Sequence, residues 1–227
     1  MEVIRLEGIH KTYSDSGVPV HALRGIDLSI AQGEFTVIAG PSGSGKTTLL
    51  NIAGALDTPT EGNVFFTGED IGEKSRNEVA SIRLEKLGFV FQAYNLIPVL
   101  TAMENIEFTM MLLGIDEKSR HERARQIMRE LDIAQLADKR PNEMSGGQQQ
   151  RVAVARAIVN NPSIILADEP TANLDSETGA TLLDLMQQMN REHKLTFVFS
   201  SHDQHVIDRA QRLILLRDGV IEQDESL

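Results

Sequence analysis

The chain has 227 residues, 41 % hydrophobic and 24 % charged, with a formal net charge of −11 and no cysteine. That composition excludes disulfides and thiolate metal centres, and it is too apolar for a disordered chain. The acidic balance argues against a protein that grips the nucleic-acid backbone, so no nucleic-acid partner is expected. The most apolar segments, Phe108–Leu113 and Leu213–Leu216, fall far short of the roughly 18–20 residues needed to cross a bilayer. The N-terminal MEVIRLEGIHKTY has no basic segment followed by an apolar one, so no signal peptide is expected and the cytoplasm is the expected compartment.

In chain order, Val3–Tyr13 and Val20–Ile30 mix β-branched and apolar residues and read as strands. Glu34–Ala39 is a short apolar run typical of a buried strand, followed by a Gly-rich turn and a helix over Lys46–Leu56. Phe65 and Phe66 belong to another strand, bounded by Gly62 and Gly68. Ser75 and Glu78 form an S-x-x-E capping box opening a helix to about Lys86, and Gly88–Gln92 is a short strand. From Thr101 to about Asn160 the pattern is mainly helical; Asp116–Leu131 sets Ala124, Ile127, Met128 and Leu131 on one face. Strands return at Ser163–Ala167 and Leu195–Ser200, separated by a helix over Ser176–Glu192. Leu213–Leu216 is a further strand that turns at Asp218-Gly219 into Val220-Ile221, a hairpin signal. Strand–helix alternation at both ends predicts an α/β fold with a parallel-sheet core, and the helical middle predicts an inserted subdomain over 92–160.

Gly40-Pro41-Ser42-Gly43-Ser44-Gly45-Lys46-Thr47 matches G-x-x-x-x-G-K-[ST] and lies between a short apolar strand and a helix. The glycines let the backbone wrap a phosphate without Cβ clashes, and successive N–H groups plus the helix N-terminus converge on the anion. Lys46 is the candidate for the β- and γ-phosphates of a nucleotide, and Thr47 for Mg²⁺. Ile164–Ala167 is an apolar strand ending in Asp168 and Glu169. Ligands gather at the carboxyl ends of parallel strands, which makes Asp168 the candidate Mg²⁺ anchor and Glu169 the candidate base for an attacking water. His202 and Gln92 also end strands, His202 at a position to sense a γ-phosphate and Gln92 where an amide reaches both metal and water.

The sequence Met144-Ser145-Gly146-Gly147-Gln148-Gln149-Gln150-Arg151 opens a helix just upstream of the 164–169 strand and looks like the LSGGQ signature of ABC ATPases. The chain resembles that superfamily along nearly its whole length, with the landmarks in order. Tyr13 matches the aromatic that stacks on adenine, residues 40–48, including Thr48, the Walker A loop, and Gln92 the Q-loop. Residues 144–148 match the signature, 164–169 Walker B, 172–175 with Asp175 the D-loop, and His202 the switch histidine. Met144 departs from the usual Leu, a near-isosteric apolar change.

The resemblance implies a P-loop NTPase fold: a RecA-like core with an N-terminal antiparallel β-subdomain over 1–91 and 161–227, and a helical subdomain over 92–160. It implies ATP and Mg²⁺ as ligands, and a head-to-tail dimer in which Ser145, Gly146, Gly147 and Gln148 of one copy close on ATP held by another. The features VHALRGIDLSI and QAYNLIPVLTAMENI, and the expectation that no regulatory domain follows the last strand, resemble lipoprotein-releasing and macrolide-efflux (LolD/MacB-like) ATPase subunits. FtsE-like cell-division ATPases are nearby, so signalling through a membrane partner is the alternative to transport. In that branch an integral membrane permease-type subunit docks on the surface after the Q-loop, here about Ala93–Glu104, which implies the cytoplasmic face of a bacterial inner membrane. Chromosome-maintenance and translation-associated members carry a long coiled coil or a second ATPase unit, and neither is present in this sequence. A silent ATP clamp would lack Glu169, His202 or Lys46, and all three are present.

Overall fold

The computed structural model describes residues 1–14 and 17–227. Asp15 and Ser16, among the turn formers between the first two strands, lie outside the described residues.

Strands β1 (Glu2–Tyr13) and β2 (Val20–Ala31) pair antiparallel. β3 (Phe35–Ala39) is buried at all five positions and leads through the Gly-rich turn into α1 (Lys46–Ala53). β4 (Glu61–Phe66) returns to pair with β1, and β5 (Glu69–Asp70) closes that sheet. α2 (Arg76–Lys86) starts on the predicted capping box and runs into β6 (Leu87–Phe91). The helical middle holds α3 (Ala102–Leu112), α4 (Glu117–Glu130) and α5 (Gly146–Ile158), with two short 3₁₀ turns between α4 and α5. β7 (Ile164–Asp168), α6 (Ser176–His193), β8 (Phe197–Ser201), α7 (Gln204–Ile207), β9 (Arg212–Arg217) and β10 (Val220–Ser226) complete the chain.

The result is an α/β fold with two sheets. One is antiparallel, in the order β2-β1-β4-β5; the other runs β10-β9-β3-β8-β7-β6, parallel except for β10. The Asp218-Gly219 hairpin forms as predicted, with both residues at positive φ (46° and 79°), the geometry whose twist matches paired strands.

Alternation along the buried strands divides the core in two. Ile38, Ile164, Leu166 and Val198 face the antiparallel sheet and enclose α1 with it. Phe35, Val37, Ile165, Phe197 and Phe199 face the other way, in one apolar cluster that continues into α3, α4, α5 and α6. The phosphate-loop helix is therefore held between two sheets, with Leu49, Leu50 and Ile52 buried. On α4 the predicted stripe holds: Ala124 and Met128 are fully buried, with Leu131 beyond the helix end, and Ile127 packs at the edge.

The end of α1 differs from the sequence reading. α1 stops at Ala53, not Leu56, because Gly54 caps it and Ala55 turns into the left-handed region (φ 53°). The chain is thereby freed three residues early, and Leu56 and Asp57 fold back so that both their N–H groups bond the carbonyl of Asn51, at 2.8 and 3.2 Å.

Candidate active site

Tyr13, Pro41, Ser42, Gly43, Gly45, Lys46, Thr47, Thr48, Gln92, Glu169 and His202 line one cleft of about 630 Å³ at the carboxyl ends of the parallel strands. The loop that forms it depends on glycine. At Gly45 φ is 104°, and an added Cβ would lie 2.5 Å from the carbonyl oxygen of Ala22. Lys46 is almost fully buried and donates to the carbonyls of Gly40 (2.7 Å) and Pro41 (3.0 Å). Those carbonyls hold the ammonium at the loop, where an incoming phosphate is a better acceptor for it. Ser44 of the loop is buried, its hydroxyl without a hydrogen-bond partner among the described residues.

Asp168 stands at the end of β7. Its Oδ1 accepts from the hydroxyls of Thr47 (3.1 Å) and Ser200. Hard oxygen donors gathered beside a phosphate cradle suit Mg²⁺, which takes one or two protein oxygens and fills its shell with water and phosphate. Glu169 follows, held at a positive φ of 45° by its N–H bond to the Ser200 carbonyl at 3.0 Å. Its Oε1 is 2.7 Å from His202 Nδ1 and its Oε2 accepts from Ser201 Oγ at 3.2 Å. A carboxylate only accepts, so His202 carries its proton on Nδ1 and keeps Nε2 for a ligand.

Tyr13 ends β1 at the rim of the cleft, and its hydroxyl donates to Asp57 Oδ2 at 2.8 Å. Burial first, and the Asp57 carboxylate second, raise that hydroxyl above the usual tyrosine range.

The signature residues are elsewhere. Ser145 N-caps α5 in a complete capping box with Gln148, and Ser145, Gly147 and Gln148 line a second, smaller pocket with Thr178 and Arg151. This pocket shares no residue with the first cleft. Gly146 packs against the Tyr94 hydroxyl, which lies 2.7 Å from where a Cβ would stand. Asp175 is not in the cleft either: it N-caps α6, accepting from the N–H (2.9 Å) and hydroxyl (2.7 Å) of Thr178.

The family model described as "ABC transporter" matches residues 23–172. The chain belongs to the ABC transporter family. A relative, the uncharacterized ABC transporter ATP-binding protein MJ0796 of Methanocaldococcus jannaschii, is 45 % identical over 229 residues, 99 % of this chain and 97 % of that one. The macrolide export ATP-binding/permease protein MacB of Syntrophobacter fumaroxidans is 43 % identical over 228 residues, all of this chain but only 32 % of its own length. This chain thus spans about a third of that relative. A dimeric post-hydrolysis state of the MJ0796 cassette bound to ADP and Pi superposes with a TM-score of 0.91 at 43 % identity, covering 99 % of this chain and 98 % of that one. The protein is an ABC-type ATP-binding and ATP-hydrolysing cassette, with the P-loop fold expected from its sequence.

Several residues that matter here were not singled out from the sequence. Ser200 and Ser201 of β8 hold the carboxylates of Asp168 and Glu169 respectively. Gln150 is fully buried and donates to the Pro170 carbonyl at 2.7 Å, tying the signature helix to the loop after Glu169. Its signal was present: Gln150 shares a helix face with Val154 and Ile158, so the pattern buries it. Asn173 Nδ2 donates to the Gln92 carbonyl at 2.9 Å, joining the 172–175 segment to the end of β6.

Proposed function

We propose that this cassette binds MgATP in the cleft at the P-loop and hydrolyses it only when a second copy closes its signature pocket over the nucleotide. The observation that carries the reading is the separation of two half-sites on one chain. Lys46, Thr47, Glu169 and His202 share one cleft, while Ser145, Gly147 and Gln148 line another with no common residue. A head-to-tail pair brings each into register with its complement. MJ0796, the relative described as dimeric, supports this arrangement.

Within the cleft, the loop N–H groups and Lys46 hold the triphosphate. Thr47, Asp168 and Gln92 would hold Mg²⁺, which would supply neutralisation of the phosphate charge. Glu169 takes the proton of the attacking water, and His202, oriented by its bond to Glu169, faces the γ-phosphate through Nε2. Tyr13 offers its ring to the base. Asp175 acts through the mutual packing of the two copies rather than on its own chain's nucleotide.

The power stroke leaves through a membrane subunit on the cytoplasmic face of the membrane, with residues 92–160 as the moving helical unit. No described helix is long and apolar enough to cross a bilayer. An apolar groove of about 620 Å³ follows the Q-loop, lined by Leu56, Phe89, Ile97, Phe108 and Leu112 among others, and fits an apolar helix face. MacB and the pyoverdine protein PvdT are each described as ATP-binding/permease proteins for export, which supports export as the work done.

Mixed dimers test the reading. Lys46→Ala disables one half-site and Ser145→Arg the other. Each variant alone is expected to be inactive, and an equimolar mixture to regain up to about a quarter of wild-type turnover, because half the dimers formed at random are mixed and keep one intact composite site. A mixture as inactive as its components sinks the shared-site mechanism. Copurification of Glu169→Gln protein with ATP from solubilised membranes then identifies the membrane subunit.

A further inference from the structure

Tyr13 occupies the last position of β1 and is 37 % exposed. A tyrosine on a frayed strand end samples several rotamers, and stacking on a base would have to freeze it. Here it is already held. Its hydroxyl donates to Asp57 Oδ2 at 2.8 Å, and Asp57 Oδ1 accepts from Lys11 Nζ and from the Thr58 N–H, each at 2.7 Å. Lys11 Nζ also donates to the Thr58 carbonyl at 2.7 Å and lies 4.8 Å from the centre of the Tyr13 ring. Lys11 and Tyr13 are two residues apart on one strand, so both side chains leave the same face. The three side chains form a closed triangle, and the Lys11 and Asp57 side chains are only 12 % and 28 % exposed.

The Asp57 carboxylate is stabilised in this triangle. Burial pushes the Asp57 carboxyl up, but the Lys11 ammonium, the Tyr13 hydroxyl and the Thr58 N–H outweigh it and hold it below its ordinary value. Asp57 therefore remains an acceptor throughout the neutral range.

The position of Asp57 gives the triangle its meaning. α1 begins at Lys46, the phosphate lysine, and Asp57 is fixed to the far end of that helix through the two N–H bonds to Asn51. The helix is about 12 Å long. One rigid element thus sets the phosphate lysine at one end and, at the other, the carboxylate that holds the aromatic ring.

We propose that Asp57, clamped by Lys11, is a positioning residue that locks the Tyr13 ring for stacking and so sets the base-dependent part of ATP affinity. This rests on the reading of Tyr13 as the base-stacking residue. Ordering one rotamer-rich side chain on binding costs an amount equal to roughly a three- to tenfold change in Kd, and the clamp removes that cost.

The test is calorimetric titration of ATP and of inorganic tripolyphosphate, with EDTA present to prevent turnover. The proteins are wild type, Asp57→Asn, Tyr13→Phe, the double variant and Tyr13→Ala. Asp57→Asn is expected to weaken ATP binding roughly three- to tenfold and to leave tripolyphosphate binding unchanged. Tyr13→Phe keeps the ring and loses only the hydroxyl, so it should match Asp57→Asn, and the double variant should be no worse than either. Wild-type ATP affinity in Asp57→Asn alongside weakened binding in Tyr13→Ala overturns the positioning role and leaves stacking intact. Wild-type affinity in Tyr13→Ala removes the stacking reading itself. Equal weakening of ATP and tripolyphosphate in Asp57→Asn reduces Asp57 to a support for α1 and overturns the proposal.

Discussion

Replacing Glu169 by Gln isolates its basicity from its shape. The residue is held at three points: Oε1 to His202 Nδ1 at 2.7 Å, Oε2 to Ser201 Oγ at 3.2 Å, and the backbone N–H to the Ser200 carbonyl at 3.0 Å. Glutamine has the same length, its amide oxygen can keep the His202 bond, and the backbone contact is untouched. Neither Lys46 nor the P-loop contacts Glu169 in these bonds, so nucleotide affinity should survive. Only the proton acceptor is lost. General-base removal lowers the rate by about 10²–10⁴, equivalent to about 2.7–5.5 kcal/mol of barrier. The assay is single-turnover hydrolysis by rapid quench, with ATP affinity measured separately. A rate within threefold of wild type refutes Glu169 as the base. A loss of ATP affinity as large as the rate loss assigns Glu169 to binding instead.

Three further outcomes follow from the same geometry. Lys46→Ala removes a charged donor, and ATP Kd measured by calorimetry should rise about 10- to 100-fold, while unchanged affinity contradicts the role given to Lys46. Gly45→Ala forces a Cβ to 2.5 Å from the Ala22 carbonyl at a φ of 104°, costing at least about 1–3 kcal/mol in backbone strain; a melting curve should shift down by several degrees. Asp57 has a folded pKa below its unfolded one, so it adds stability above about pH 4 that is lost as pH falls through the folded value. The gap in Tm between wild type and Asp57→Asn should accordingly be constant near neutrality and close in acid, and a gap that widens in acid would reverse the assignment.

What could be read in the sequence was what is local in the chain. The Gly-rich loop between β3 and α1, the Asp168-Glu169 pair and the capping box at Ser75 are each defined within a few residues, and each forms where the pattern sets it. The end of α1 is not legible in the sequence because Asn51–Leu56 contains no proline, and Gly54 alone is a weak stop signal against a run of helix formers. The partners of Asp168 and Glu169 are invisible in the sequence for a different reason. Ser200 and Ser201 lie about thirty residues beyond Asp168, and only the parallel pairing of β7 with β8 brings them alongside. The same applies to Asp57, which reaches Tyr13 across 44 residues.

The segment after Gln92 shows most clearly how a functional turn is built from residues that oppose it locally. Tyr94 and Asn95 are consecutive non-glycine residues in the left-handed region, at φ 60° and 50°. Such positions persist only when surroundings over-determine them. The surroundings here are Arg156 of α5, whose guanidinium donates to the Tyr94 carbonyl at 3.0 Å and the Asn95 carbonyl at 2.6 Å. Burial lowers the pKa of Arg156, yet a guanidinium stays charged at any physiological pH. The turn sets the Tyr94 hydroxyl beside Gly146, so the segment after Gln92 packs directly on the start of the signature helix. Arg156→Ala leaves both carbonyls without this donor, at a cost of about 1–3 kcal/mol, and the turn should relax toward right-handed backbone. Hydrogen–deuterium exchange should then accelerate over residues 92–98 while the P-loop peptide stays protected. Steady-state ATPase should fall with little change in ATP affinity, because the phosphate site is intact and only its link to the signature is loosened. Unchanged exchange over 92–98 would mean the turn is stable without the arginine, and the coupling between Q-loop and signature would have to run through Gln150 and Asn173 alone.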